Sequence, residues 1–432
     1  MKKKDIAVFA AVAVVCVCVL LGWLIYDSSV DRSGWETTEQ GTMYKDFHGD
    51  YVTGWEEIGG YRFHFGEDHT LTTGWLESEE GQFYFTESGH LCTGWRMIEN
   101  ETYCFGEDGR MLTGWVDGRY LSEDGTVGSG WLEEDGVRYY LSGNGYPVTG
   151  RTILDGKIYY FQENGVMRTG WATFSGLKSY FTDSGEAALG WQEIDGQRYY
   201  FDEDAFMKTG WLEEGEYRYY LTEDGSAATT PTEIDGQMCF FTPKGIQVVL
   251  VNPWNYLPED YEVDLVTTLG NYWVDSACKD SLEAMLADCK AAGHGPILAS
   301  AYRTHSYQSG LYWRKVEYWR GEGYNETMAR QLAGTSVAVP GTSEHQLGLA
   351  VDIIDSRYTK MDRKQASTET QKWLMEHCWE YGFILRYLDG TSEITGIIFE
   401  PWHYRYVGKE VALELRDLGI TLEEYLGAAD HA

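Results

Sequence analysis

The stretch Trp131–Gly150 reads WLEEDGVRYYLSGNGYPVTG, and its pattern decides the architecture of the first half of the chain. Gly136 stands five residues after the tryptophan, Tyr139 and Tyr140 eight and nine after it, and Gly145 fourteen after it. Aromatic residues favour a pleated surface, and acidic, glycine-bearing turns such as EEDG and SGNG close short hairpins, so the unit reads as turn, strand, turn. The unit recurs along the chain. Trp35, Trp55, Trp75, Trp95 and Trp115 are 20 residues apart, Trp131 follows after 16, and Arg151, Trp171, Trp191 and Trp211 resume the spacing of 20. A fixed period of this size predicts stacked units that each need a neighbour to bury their apolar face. The expected architecture is an all-β hairpin-repeat solenoid, about one hairpin per repeat.

The composition changes near Val248. Before it Gly, Tyr, Trp and acidic residues alternate; after it come helix-forming runs such as SLEAMLADCKAA. A chain of 432 residues exceeds what one core usually serves, and the boundary is placed between Gly245 and Asn252. At the other end, MKKKD precedes Ile6–Tyr26, a run without a charged side chain and about as long as the roughly 20 residues of a bilayer-spanning helix. An uncleaved anchor is favoured over a signal peptide, whose apolar region is normally about 7 to 15 residues before a small-residue cleavage site. Lys2, Lys3 and Lys4 would stay cytoplasmic and the bulk of the chain would lie outside the cell. Val precedes both Cys16 and Cys18, which removes the lipoprotein alternative. The expected layout is 1–27 cytoplasmic tip and transmembrane anchor, 28–247 repeat solenoid, and 248–432 a second domain.

A net charge of −34 excludes nucleic acid as a partner, since binding it needs a basic footprint; the acid reads as a solubilising surface. The cysteines outside the first helix resemble no disulfide framework. Cys278 and Cys289, 11 residues apart on an expected helix, are too distant for a bridge at about 1.5 Å per residue.

The chemistry resides in SEHQLGLAVD, Ser343–Asp352, and EPWH, Glu400–His403. His345, Asp352 and His403 form a three-ligand set that leaves a fourth zinc position open, as in catalytic sites. Glu400 is the expected base. Helices are expected at Ser281–Ala292, Ser306–Arg320, Glu326–Ala333 and Thr368–Tyr381, the last opened by a Thr368/Gln371 capping box. Both metal strings read as strands with adjoining loops, the second with its strand ahead of Pro401, which rules out a regular helix there.

The pattern TGW…G…YYF…G over Gly34–Gln247 resembles the choline-binding and cell-wall-binding repeats of Gram-positive surface proteins. That resemblance implies an aromatic cage for a quaternary ammonium group, and Trp171, Trp191, Trp211, Tyr199 and Tyr219 are the candidate ligand-binding residues. Where the choline-type pattern has a second tryptophan, seven residues on, this chain has Arg62, Arg138, Arg198 and Arg218. A wall glycan or teichoic-acid type polymer of a Gram-positive-type cell wall is therefore the expected repeat partner. The set SxYR, SxHxxGxAxD and ExxH, together with YGFILRY at Tyr381–Tyr387, resembles the zinc D,D-carboxypeptidases of the VanY and VanX type. It implies an α+β domain with a small antiparallel sheet, one zinc ion on His345, Asp352 and His403, and Glu400 as acid/base. It further implies that Arg303 faces the reacting carbonyl and that Ser343 and Gln308 line the substrate pocket. The implied activity is removal of the terminal D-Ala from peptidoglycan stem peptides. An L,D-carboxypeptidase, an endopeptidase or a non-catalytic wall adhesin are the alternatives.

Overall fold

In a computed structural model the chain is described over residues 3–258 and 261–429, with the side chains of the first helix described at 10–25 and 29. Met1 and Lys2 lie outside the described residues. The chain divides into two compact units: residues 1–172 with 180–187, and residues 173–179 with 188–432.

In the first unit each repeat is one two-stranded antiparallel hairpin. Gly130–Glu134 pairs with Val137–Leu141, placing Trp131 opposite Tyr140, and the pattern repeats from Gly34–Thr38 with Gly41–Lys45 to Gly150–Leu154 with Lys157–Phe161. The turn residues Asp135 and Gly136 both have positive φ (51° and 75°), the two-residue turn whose twist matches that of the strands it joins. SGNG does something other than expected. Gly145 N donates to Ser142 O, and the chain returns for a single bridge, Leu141 to Pro147, in place of a second hairpin. Gly145 has φ 81°, and a Cβ there would come within 2.6 Å of the Val127 side chain, so the position demands glycine. The 16-residue repeat has strands of three residues, Gly114–Val116 and Arg119–Leu121, in place of five.

Aromatic edges and one backbone bond per repeat hold the stack. The Trp131 ring lies 5.3 Å from Tyr140 of its own hairpin and 5.1 Å from Tyr159 of the next, and Met167 N reaches back to Arg138 O at 2.8 Å. No hairpin here could bury its tryptophan alone, which is the physical content of the 20-residue period.

The first helix, α1 (Lys3–Ser29), forms, and its side chains from Ala10 to Ile25 are all exposed. Among the described residues, however, no helix is long and apolar enough to cross a membrane, so the expected transmembrane span is not carried by the structure.

In the second unit the last repeats pack against the C-terminal region. Gln247–Val248 adds a third strand to the final hairpin. Tyr219, Phe240, Ile246 and Val248 share a buried cluster with Ile384, Val411, Leu415 and Leu422. Lys244 Nζ pairs with Glu410 and Glu414 at 2.6 and 2.7 Å, and Tyr406 donates its hydroxyl to Glu216 at 2.9 Å. The compositional break near Val248 thus does not coincide with the division into compact units, because the last hairpins lend their aromatic faces to the C-terminal core.

That region is built on a four-stranded antiparallel sheet of β1 (Pro296–Ser300), β2 (Ala350–Asp355), β3 (Phe383–Leu385) and β4 (His403–Tyr406), in the order β1-β2-β4-β3. One face is covered by α2 (Ser276–Ala291), whose Cys278, Leu282, Met285, Leu286 and Cys289 recur at helical spacing and pack on Leu298, Ile353, Phe383 and Tyr404. The helix starts five residues before its expected position because Asp275 caps it, accepting from Ala277 N. Cys278 and Cys289 are both buried and free. Next come α3 (His305–Gly321) and α4 (Glu326–Gly334), capped by Thr304 and Asn325. The fifth, α5 (Glu369–His377), is shorter than expected and passes into a 3-10 turn over Cys378–Tyr381. Its capping box is half formed: Thr368 accepts from Gln371 N, but the Gln371 side chain is drawn inward to Ile353 O and the Tyr404 hydroxyl.

Candidate active site

The sheet register brings two of the three candidate ligands side by side. Asp352 in β2 is the direct partner of His403, the first residue of β4, and Ser300 at the end of β1 opposes Asp352 from the other side. The expected strand ahead of Pro401 is not formed. Pairing begins only at His403, because the proline at 401 has no N–H for a ladder. His345 sits on a 3-10 turn (Glu344–Leu347) adjoining β2, one of the loops expected beside the strands. That turn ends at Gly348, φ 71°, where a Cβ would meet Asp275 N at 2.8 Å.

The donor atoms of His345, Asp352 and His403 all lie within 4.8 Å of one another, and all three residues are buried. His345 Nε2 is 3.2 Å from Asp352 Oδ2, and His403 Nδ1 is 3.1 Å from Asp352 Oδ1. Two imidazole nitrogens and a carboxylate oxygen at this spacing fit a zinc ion with bonds of about 2.0–2.2 Å. Each ring is also held from behind, as metal-binding histidines are: His345 Nδ1 lies 2.8 Å from Ala301 O, and His403 Nε2 lies 3.3 Å from Glu344 Oε2. Burial drives the His345 imidazole down to about 4, only partly offset by Asp352. Burial also works against a charged His403, but hydrogen bonds with Asp352 and Glu344 outweigh it and hold this ring up to about 9. Desolvation opposes charge on Asp352 as well, yet His345, His403 and Arg303 keep its carboxyl well below the usual range.

The trio opens onto a cleft of about 380 Å³ lined also by Arg303, Lys315, Ser343, Tyr387, Glu400 and Trp402. Glu400 Oε2 is 3.9 Å from His403 Nδ1, close to the ligands but outside their set, and burial pushes its carboxyl up to about 8. Arg303 donates to Asp352 Oδ2 at 2.7 Å, to Ser300 Oγ at 3.0 Å and to Gln308 Oε1 at 3.3 Å, with part of its guanidinium facing the cleft. Ser343 is on the cleft wall. Gln308 is not: it is fully buried, donates to Ala338 O at 2.7 Å and braces Arg303 from behind.

Sequence reasoning missed Glu344 and Lys315. Glu344 stands inside the quoted string, an acid in an otherwise buried turn, and that is its only local signal. Lys315 lies on α3 and carries none.

The repeat candidates fall into three groups. Tyr219 is buried in the core shared with the C-terminal region. The Arg198 guanidinium lies 4.4 Å from the Trp191 ring and that of Arg218 3.9 Å from the Trp211 ring, with Arg62 on Trp55 and Arg138 on Trp131 at 4.6 and 4.5 Å. Protein cations thus already occupy the aromatic faces of Trp191 and Trp211. Trp171 stacks edge-on with Tyr180, and Tyr199 is half-buried.

Residues 271–409 match the VanY D-alanyl-D-alanine carboxypeptidase family. Residues 148–189 and 188–231 match the choline-binding repeat, and 129–147 a cell wall binding repeat. A D-alanyl-D-alanine carboxypeptidase of Enterococcus faecalis is 42% identical over 180 residues, 41% of this chain and 65% of that protein. The bifunctional D-Ala-D-Ala dipeptidase and carboxypeptidase VanXYC of Enterococcus gallinarum is 37% identical over 134 residues, 30% of this chain and 64% of that protein. The chain therefore spans just under two thirds of the length of each. A crystal structure of the vancomycin-resistance D,D-pentapeptidase VanY with Zn(II) is 42% identical and covers 41% of this chain and 97% of that one, at a TM-score of 0.38. The C-terminal region is thus a VanY-type domain, and it follows repeats of the choline-binding and cell-wall-binding type.

Proposed function

Taking the VanY-type domain as the premise, we propose that this chain is an extracytoplasmic zinc carboxypeptidase that removes the terminal D-Ala from peptidoglycan stem peptides. The observation that carries the reading is the buried trio of His345, Asp352 and His403 with Glu400 beside it on one open cleft. A zinc ion held by the trio would polarise the scissile carbonyl and lower the pKa of water to about 7.

The remaining steps belong to the protein. Glu400 takes the proton of the attacking water and delivers it to the departing D-Ala nitrogen, a role suited to a carboxyl whose burial has raised its proton affinity. Arg303, held in place by Ser300 and Gln308, donates toward the carbonyl oxygen as negative charge builds there. Losing such a donor typically slows turnover about a hundredfold to a thousandfold. Ser343 contributes a hydroxyl to the wall that the peptide end would meet.

The repeats would hold the enzyme against a wall glycan or teichoic-acid type polymer. Arginine-covered tryptophans favour that reading over choline in the repeats that carry them. The domain division at 247/248 is part of the same proposal, with the last hairpins serving both parts. Membrane attachment through the charge-free run Ile6–Tyr26 is a further part, supported by the exposed apolar side chains of α1 and tested by alkaline carbonate extraction of cell membranes.

The deciding experiment incubates the purified chain with pentapeptide and tetrapeptide muropeptides, with and without chelator, and follows D-Ala release by mass spectrometry. Chelator-sensitive release from the pentapeptide is expected. Cleavage of the tetrapeptide alone would indicate an L,D-carboxypeptidase, internal cuts an endopeptidase, and no cleavage of either substrate an adhesin.

A further inference from the structure

Glu344 takes no part in the chemistry above, yet it is 1% exposed and touches a metal ligand. Its Oε1 accepts from Arg386 Nε at 2.8 Å and from Arg405 at 3.0 Å, while its Oε2 lies 3.3 Å from His403 Nε2. Arg386 turns its two other nitrogens to Glu423 at 2.9 and 2.6 Å, and Glu423 accepts in turn from Asn252 at 3.1 Å. Arg405 donates onward to Val249 O at 2.9 Å.

The arrangement is more specific than charge balance requires. Both arginines bind one oxygen of Glu344, which leaves the other free to accept from the imidazole. An imidazole offers a metal one lone pair, and the partner of its other nitrogen decides which. With Nε2–H donated to Glu344, the lone pair is on Nδ1, the atom that faces Asp352. A free carboxylate side chain could swing away from the ring; one clamped by two buried guanidinium groups cannot.

We infer that Glu344 is the positioning residue of His403: it fixes the ring's tautomer and aims Nδ1 at the metal position, and Arg386 and Arg405 hold Glu344 in place. The inference rests on the zinc reading of the trio but not on peptide cleavage. It gives Arg386, within the YGFILRY string, a task at the site although it is remote from the cleft.

The test uses the full chain. In chelator competition Glu344→Gln is expected to bind zinc about 10- to 100-fold more weakly than the wild type, the usual cost of losing such a partner, while Glu400→Gln binds it unchanged. Wild-type zinc affinity in Glu344→Gln overturns the inference. If that variant fails to fold, nitrogen-15 NMR of the imidazoles in the zinc-loaded wild type still decides. Coordination through Nδ1 of His403 with a protonated Nε2 is expected, and coordination through Nε2 overturns the assignment. A chain that passes both tests but cleaves no muropeptide would refute the proposed activity and leave the positioning role standing.

Discussion

Arg386 and Arg405 in the C-terminal region are 1% exposed and meet carboxylates, whereas Arg62, Arg138, Arg198 and Arg218 in the repeats lie on tryptophan faces and stay exposed or half-buried. Three of the repeat arginines also donate to a carbonyl 46 residues ahead: Arg62 to Asp108, Arg138 to Ser184 and Arg198 to Lys244. The guanidinium group is the same; its surroundings differ. Out of water, a charge must be matched by opposite charge and saturated with hydrogen bonds, so the buried pair holds its partners in one geometry. Near water the ring quadrupole and one carbonyl are enough, and each contact stabilises only modestly. The first arrangement can aim a metal ligand. The second can brace a repeat and cover a binding face.

The sharpest way to break this contrast is at the buried site. Glu400→Gln is expected to keep zinc and lose roughly 10²- to 10⁴-fold in turnover, while His345→Ala loses both, as read by metal analysis and muropeptide assay. Equal zinc loss in the two variants would contradict the separation of base from ligands. Next in size, Arg386→Met takes one of two guanidinium partners from buried Glu344 and the guanidinium partner from buried Glu423, and is expected to cost about 3–5 kcal/mol, measured by urea unfolding. A change under about 1 kcal/mol would mean that the ion cluster is not what orders this core.

Arg198→Ala should cost only about 0.5–1 kcal/mol in the same assay. It should also uncover the Trp191 face, so that the variant gains retention on choline resin that the wild type lacks. Wild-type retention equal to that of the variant would show that the guanidinium is no barrier. The smallest effect is expected at Asp224, whose carboxyl is lowered to about 2 by hydrogen bonds from Ser226 and Thr222. Because the folded value lies below the ordinary 3.8, this turn's contribution is complete above about pH 4 and lost as the pH falls through about 2. Asp224→Ala should therefore lower neutral stability slightly and flatten the acid limb of the unfolding curve by the same small amount, since the group is largely exposed.

The two regions also differ in how much of them was legible. Every repeat carries its own instructions: Asp135 and Gly136 set the turn, Trp131 and Tyr140 face each other across it, and the short strands at Trp115 account for the one irregular spacing. At the active site the ligand types and Glu400 were readable because zinc and proton transfer need those side chains. Glu344 was not, since its partners Arg386, His403 and Arg405 are 42, 59 and 61 residues away. The position of Gln308 was hidden for the same reason: nothing local says that it points inward behind Arg303.

The sequence by itself determined the hairpin repeat, the helices and the donor set, because turn chemistry, periodicity and ligand type act over a few residues. Only the tertiary structure decided that Asp352 and His403 are register partners, that the last hairpins complete the C-terminal core, and that a buried carboxylate aims one histidine. Those facts depend on which distant segments exclude water together, and a carboxylate, a guanidinium or an imidazole acquires its role from the partners that burial leaves it.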